Sequence, residues 1–497
     1  MKNEMKTKNR NTPGYIIIVI YSLFVLFEYV YTNFIAKVSI NNRIDHLAVF
    51  ALILIALSPH FFRFFSSYEI RRKPQEISKR NKILVFSVSF LLVFALFFAF
   101  YLRYPDRTTG TDVDAQLKQV YSGVYNDWHP VIHTLLVMAV PIKLTGSETA
   151  IYVFQYLAFG IAFGYMCETI YQYSRNLVMV LIPYVLVLFN PYTYRLVTYP
   201  LKDVSFAILG MLLMTFSIRL YYSEGKWFDK KINVAVFVIS LALATLFRHN
   251  GILFTLPLLL VLFFNVDKKK LLKVAVLSFA LVVLIKYPLY TALDVQKPGD
   301  RMSETIGVCM NVIGNSVKEN NEALSDETLA FAYDLAPQEI WNQCPIGDFN
   351  KIKFGGVDTD KIDRYSLSQI LMYTADCLLH TPREALSGFF RLTDFVYGFN
   401  AVYDGKLEIV LIGFGLGVTT FCAIYTIFAR SNLRKKEGWN KLVYCLPSMI
   451  YSVGTMMLLT GNTDSKLFYI DYVTIPLMYL IMFADRDEIT ESGSTVA

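Results

Sequence analysis

The sequence predicts an all-α polytopic membrane protein, and three observations predict it. Apolar residues make up 55% of the chain and charged residues only 18%, with a mean hydropathy of +0.42. Soluble domains carry nearer a quarter charged residues. The apolar residues gather into runs whose length approaches the roughly 20 residues a helix needs to cross a bilayer core. Charge is also segregated. Residues 294–406 hold 17 acidic and 10 basic side chains, so the rest of a chain with net charge +7 carries about +14. That excess lies mostly in short loops, as positively charged cytoplasmic loops do. It is not the footprint of a nucleic-acid binder.

The expected spans are 15–36, 46–65, 83–102, 149–171, 176–190, 203–222, 232–247, 250–266, 272–292, 407–429, 441–460 and 467–484. The first follows a basic start (Lys2, Lys6, Lys8, Arg10) without a small-residue cleavage site, so it is expected to stay as an anchor. A further apolar run, 131–144, is settled by parity. The clusters at 63–82, at Lys268–Lys270 and at Arg430–Lys436 share the cytoplasmic side only if 131–144 does not cross. It is short and carries His133 and Lys143, which suits a helix lying along the outer interface. Twelve spans follow, with both termini cytoplasmic in a multi-pass cell-membrane protein.

The organisation is then 1–102 (spans 1–3), 103–148 (first outer loop), 149–292 (spans 4–9), 293–406 (a mainly helical outer domain), 407–484 (spans 10–12) and 485–497 (a cytoplasmic tail). The outer domain shows helix-like stretches at 326–341 and 382–397 and is too long to be a mere connector. It holds Cys309, Cys344 and Cys377, which an extracytoplasmic setting allows to pair, although an odd count leaves one thiol over. No internal repeat, phosphate-binding glycine loop or dinucleotide fingerprint occurs.

The polar residues with chemical potential crowd the outer loops. Asp112 and Gln116 are four apart and would share a helix face. Asp112 and Asp114 suit a general base or a divalent cation; equally, Asp112 can cap the helix that follows while Asp114 is solvated. His129 and His133, also four apart, suit phosphate or metal, or an amphipathic surface. Lys202-Asp203 opens a span, where an acid is favoured by the helix dipole. Arg248-His249-Asn250-Gly251 joins two spans. Its arginine can grip a lipid phosphate or snorkel from a tight turn. Lys286 has the same two options. Glu28 is isolated in the first run and is expected to pair locally. Asp464, Lys466, Tyr469, Asp471 and Tyr472 close the outer-face set.

Together these residues resemble the GT-C superfamily of membrane glycosyltransferases. The resemblance lies in the order of features: an outer acid (Asp112-Val113-Asp114), a His-Pro opening an interfacial helix (His129-Pro130), a second outer acid (Asp203) and an Arg-x-x-Gly (Arg248–Gly251). A closer likeness is to an uncharacterised bacterial family within or near that superfamily. Its pattern resembles Asp112…Gln116 with Asp127…His129-Pro130…His133-Thr134, and the Ser303-Glu304-Thr305-Ile306 opening of the outer domain. The resemblance implies a GT-C-like fold and sugar transfer from a polyprenyl-phosphate donor to a cell-envelope acceptor. Asp112 would be the base, with Asp114 as its rival; Asp203 would support it or help Asp112 hold a divalent metal, Mg or Mn. Gln116, Asp127, His129, His133, Lys202, Arg248 and Lys286 would bind substrate. The chain departs from the superfamily at His-Pro-Val and at Lys466 and Tyr469, where an Arg-Tyr pair is usual. The rival expectations are a flippase or transporter, with groups near the midplane, or a non-catalytic envelope assembly protein.

Overall fold

The computed structural model describes residues 11–31, 44–67, 77–104, 111–297, 302–397, 416–461 and 464–484. Among these residues the chain is helical, with no β-strand and two isolated bridges, Asn126–Gln296 and Asp348–Gly461. In chain order the helices used below are α1 (Thr12–Val30), α2 (Ile44–Ser67), α3 (Lys79–Arg103), α4 (Thr111–Ser122), α5 (Val131–Thr145), α6 (Thr149–Ser174), α7 (Leu177–Leu188), α8 (Pro191–Val197), α9 (Lys202–Tyr222) and α10 (Lys231–Phe247). There follow α11 (Ile252–Leu262), α12 (Lys268–Ala292), α13 (Gly307–Asn320), α14 (Asp326–Leu335), α15 (Leu367–His380), α16 (Pro382–Tyr397), α17 (Leu416–Arg430), α18 (Lys436–Val443), α19 (Leu446–Met456) and α20 (Tyr469–Phe483).

Five described segments are long and apolar enough to cross a membrane: α3, α6, α9, α12 and Ser465–Phe483. A sixth forms if α7 and α8 are one span, bent by 54°. The chain is therefore built as a multi-pass α-helical membrane protein. The expected run 176–190 is followed by a further helix, and other expected runs are shorter or interrupted. The bend after α7 falls at Asn190-Pro191, where proline cannot continue the helix and the Asn190 side chain caps α8 by accepting from Tyr192 N at 3.0 Å. The run 441–460 divides into α18 and α19, the second with Pro447 in its first turn. The expected run 407–429 lies partly outside the described residues; α17 covers its second half. At about 1.5 Å per residue, α5 falls short of the bilayer core.

The chain divides into two compact units. The larger comprises Ser67–Pro298, Arg430–Tyr451 and Tyr469–Ala497; the smaller comprises Met1–Ser66, Gly299–Ala429 and Ser452–Phe468.

At the centre of the larger unit lies α9, apolar between its charged ends and buried over most of its length, as a central helix should be. It packs on α20, where Gly210 leaves no room for a side chain beside Ile470. The pairing of α3 with α6 is equally close. Gly160 and Gly164, one turn apart, receive Phe90 and Phe86, and a Cβ at Gly160 would meet the Phe90 ring at 3.0 Å. Small residues spaced this way let membrane helices approach without a hydrophobic driving force.

The smaller unit centres on Ile313, Phe331, Trp341, Phe349, Ile370 and Cys377. The Trp341 indole N–H points to the carbonyls of Ala332 and Ala336, both at 3.1 Å. The expected helix 326–341 is broken at Ala336-Pro337 into α14 and a short helix, Gln338–Asn342; the expected helix 382–397 is α16. Against α16 lies α1, through Phe27 on Phe390 and the Tyr31 hydroxyl on the Arg383 carbonyl at 2.7 Å. Glu28 is buried in α1. All six cysteines are free thiols, so Cys309, Cys344 and Cys377 are packed, not paired.

Candidate functional site

Every residue that the outer-loop pattern singles out from Asp112 to Lys286 falls in the larger unit. There the starts of α4, α5 and α9 and the turn after α10 bring most of them into direct contact.

Asp112 and Asp114 lie in the first turn of α4, where the helix dipole favours carboxylates. They are not equivalent. The Asp112 carboxylate, 28% exposed, stands 3.8 Å from the Lys202 ammonium. Asp114 is half-buried and makes no ion pair or hydrogen bond among the described residues. One turn on, Gln116 is fully buried, and its amide N–H donates to the Asp112 carbonyl at 3.2 Å. The predicted shared face is there.

The two histidines do not act as a pair. Pro130 caps α5, so His133 falls in the first turn and His129 outside the helix. Lys202 Nζ donates to His129 Nδ1 at 2.9 Å, which makes His129 an acceptor at that nitrogen. His133 is wired differently. Gln116 Oε1 accepts from His133 Nδ1 at 2.8 Å and from the Thr134 hydroxyl at 3.1 Å, and the Ser205 hydroxyl lies 3.1 Å from His133 Nε2. A carbonyl oxygen can only accept, so His133 carries its proton on Nδ1 and Ser205 donates to Nε2. Burial, and then the nearby Lys202 charge, push the His133 imidazole down to about 3. It is a neutral structural tie. Immediately after it, residues 134–139 widen into π-helical turns, a distortion often found beside functional groups.

At the start of α9, Lys202 and Asp203 point to different partners. Asp203 is ion-paired with Arg248, and both side chains are nearly sealed from solvent, at 1% and 9% exposure. The Arg248 backbone is extended between α10 and the turn His249–Gly251. Asn250 Oδ1 accepts from Arg248 Nε at 2.8 Å, and a side chain on Gly251 would strike the Ala244 carbonyl. The turn expected from Asn-Gly therefore aims the guanidinium inward, at Asp203. Arg248 is thus held on Asp203, with little of its side chain open to a phosphate.

Asp127 organises a neighbouring group. The Tyr290 hydroxyl donates to its carboxylate at 2.8 Å, Lys286 Nζ lies 3.8 Å from the other oxygen, and His249 Nε2 meets its carbonyl at 3.1 Å. Asp127 N in turn donates to the Gln296 carbonyl at 3.0 Å. The Lys286 side chain is 39% exposed. Of the cations in the cluster it is the most open to an anion.

Tyr290, Ser205 and Asn250 were not among the expected site residues. Tyr290 had a signal, one helical turn beyond Lys286; Ser205 had none beyond its place near the start of a span. The closing set divides: Asp464 and Lys466 belong to the smaller unit, Tyr469, Asp471 and Tyr472 to the larger. Tyr469 donates to the Thr193 hydroxyl at 3.2 Å. Among the described residues no three His, Cys, Asp or Glu side chains converge as a metal site requires. Asp203, expected to share a Mg or Mn ion with Asp112, is matched by Arg248, so these residues do not fit the ion. No protein-family model, curated protein or solved structure matches this chain.

Proposed function

We propose that the chain is a GT-C-like membrane glycosyltransferase that moves a sugar from a polyprenyl-phosphate donor to a cell-envelope acceptor. In this reading it crosses the cell membrane twelve times, with both termini cytoplasmic and the Asp112 cluster outside. The observation that carries it is one juxtaposition. A part-exposed carboxylate, Asp112, stands beside a lysine ammonium, above a sealed Gln116–His133–Thr134–Ser205 network that fixes the helix bearing it.

The roles follow from the chemistry. Asp112 takes the proton of an acceptor hydroxyl, and that oxygen attacks the anomeric carbon. The bond from this carbon to the phosphate oxygen breaks, and polyprenyl phosphate leaves with the electron pair. Lys202 and the more exposed Lys286 stabilise the developing phosphate charge. Arg248 and Asp203 act as positioning residues: their ion pair ties the start of α9 to the turn after α10. Direct displacement inverts the sugar carbon; measured retention would contradict it.

The test is release or transfer of labelled sugar from a panel of polyprenyl-phosphate sugars by purified protein in lipid, with water as the slow acceptor. Asp112→Asn should lower the rate by about 10²–10⁴-fold at unchanged abundance. If Asp114→Asn does so instead, the base is reassigned. If the wild type releases no sugar from any donor, the proposal fails, and retained lipid-phosphate binding would then point to a flippase.

A further inference from the structure

A second feature of the larger unit lies apart from the Asp112 cluster. Between α10 and α12 runs an apolar groove of about 780 Å³. That is within the roughly 300–1,000 Å³ of small-molecule sites. Val234 and Val238 of α10 and Leu277, Leu281 and Leu284 of α12 line it. These positions recur every three or four residues, so each helix offers one continuous stripe. Polar groups are confined to one end, where Asp229, Lys231, Lys270 and Lys273 sit.

That end is positive for two reasons. Both helices begin there, with Lys231 the first residue of α10 and Lys268 of α12, so both N-terminal dipoles point to it. The lysines outnumber the acid. Lys270 is paired with Asp229, whereas Lys231 and Lys273 are exposed and have no acidic partner among the described residues. The apolar end is open to its surroundings, with Leu277 and Leu284 exposed, on a helix long enough to cross a membrane.

We propose that this groove binds an anionic phospholipid, one alkyl chain lying between α10 and α12 and the headgroup phosphate between Lys231 and Lys273. Charge complementarity selects the occupant. A zwitterionic lipid would bring its own cation to a site already rich in ammonium groups. A water-soluble phosphate would leave the apolar walls uncovered. Basic pockets between membrane helices recognise anionic headgroups in this way. The proposal does not depend on the transfer reaction.

The test is native mass spectrometry of the full-length protein in detergent, titrated with phosphatidylglycerol, phosphatidylcholine or inorganic phosphate. Phosphatidylglycerol should be retained in preference to phosphatidylcholine. Lys231→Ala/Lys273→Ala should weaken its binding about fivefold per lysine removed and leave phosphatidylcholine unaffected. Both lysines are exposed, so the variant should keep the wild-type melting temperature without added lipid. Leu281→Trp should fill the groove and weaken both lipids. Equal retention of the two lipids would overturn the proposal, as would a preference that survives the double lysine variant. Displacement of phosphatidylglycerol by inorganic phosphate would make it a simple anion site and overturn it too.

Discussion

Two ion pairs, one in each unit, use charge in opposite ways. In the larger unit, Asp203 and Arg248 are paired out of reach of solvent, at 1% and 9% exposure. In the smaller unit, Lys361 and Asp334 meet at 3.3 Å with 30% and 38% of their side chains exposed. The chemistry is the same, an ammonium or guanidinium on a carboxylate. The consequence differs because water solvates the second pair and not the first. A buried pair loses several kcal/mol per ion in desolvation, and only its partner compensates. An exposed pair is worth little, since each ion is nearly as well served by water. Stability around Asp203 and Arg248 should therefore hinge on single residues, and stability around Lys361 and Asp334 should not.

The sharpest break of that contrast is Arg248→Ala. It strands the Asp203 carboxylate in the interior and should cost about 3–5 kcal/mol, read as a fall in the melting temperature in detergent. The double variant Arg248→Met/Asp203→Leu, which removes both charges, should recover most of the loss. If Arg248→Ala is neutral, the pair is not buried in the working protein, and Arg248 regains its candidacy as a phosphate ligand.

Next in size is a pH effect carried by His133. Its folded-state imidazole is pushed down to about 3, below the ordinary 6.5, so the unfolded chain takes up the proton first. Stability from keeping it neutral is present above about pH 6.5. It is lost as pH falls through the window from there toward 3, at about 1.4 kcal/mol per pH unit. Melting temperatures at pH 7 and pH 5 should show that slope. His133→Gln should flatten it, at a cost near neutral pH of about 1–3 kcal/mol for the unmatched Gln116 and Ser205. A slope unchanged in the variant would assign it to other groups.

What the sequence disclosed follows the same division. Local spacing was legible: Asp112 and Gln116 do share a face, because an α-helix repeats every 3.6 residues. Apolar runs gave the helical membrane class. Contacts between distant residues were not legible. Nothing in the chain announces that Asp203 will meet Arg248, which depends on how α9 packs against the turn after α10. Spacing also misled where a cap intervened. His129 and His133 are four apart, but Pro130 starts the helix between them and sends them to different partners. Two signals went unused: Gly160-x-x-x-Gly164, which sets the approach of α3 to α6, and Asn190-Pro191, which ends the expected span 176–190 and opens the further helix α8.

In the smaller unit the effects should be lesser. Ser366 caps α15: its hydroxyl accepts from Gln369 N at 3.3 Å while the Gln369 side chain accepts from Ser366 N at 2.9 Å. Ser366→Ala removes half of this reciprocal box and should cost about 1 kcal/mol. A loss as large as that of Arg248→Ala would erase the distinction between the units.

The smallest effect should come from Lys361→Ala. The Asp334 carboxyl is held below the usual range first by the Tyr365 hydroxyl, which donates at 3.0 Å, and only then by Lys361. The contribution of a depressed carboxylate is present above its unfolded pKa and fades as pH falls through the folded one. Removing Lys361 leaves that hydrogen bond in place and returns an exposed carboxylate to water. The melting temperature at pH 7 should stay within the error of the curve, and Tyr365→Phe, which removes the hydroxyl but keeps the ring against Phe331 at 4.7 Å, should lower it more. The reverse order would mean that the ammonium, not the hydroxyl, holds α14 to the short helix Thr359–Ile362, which carries Lys361. The exposed pair would then be acting as the buried one does.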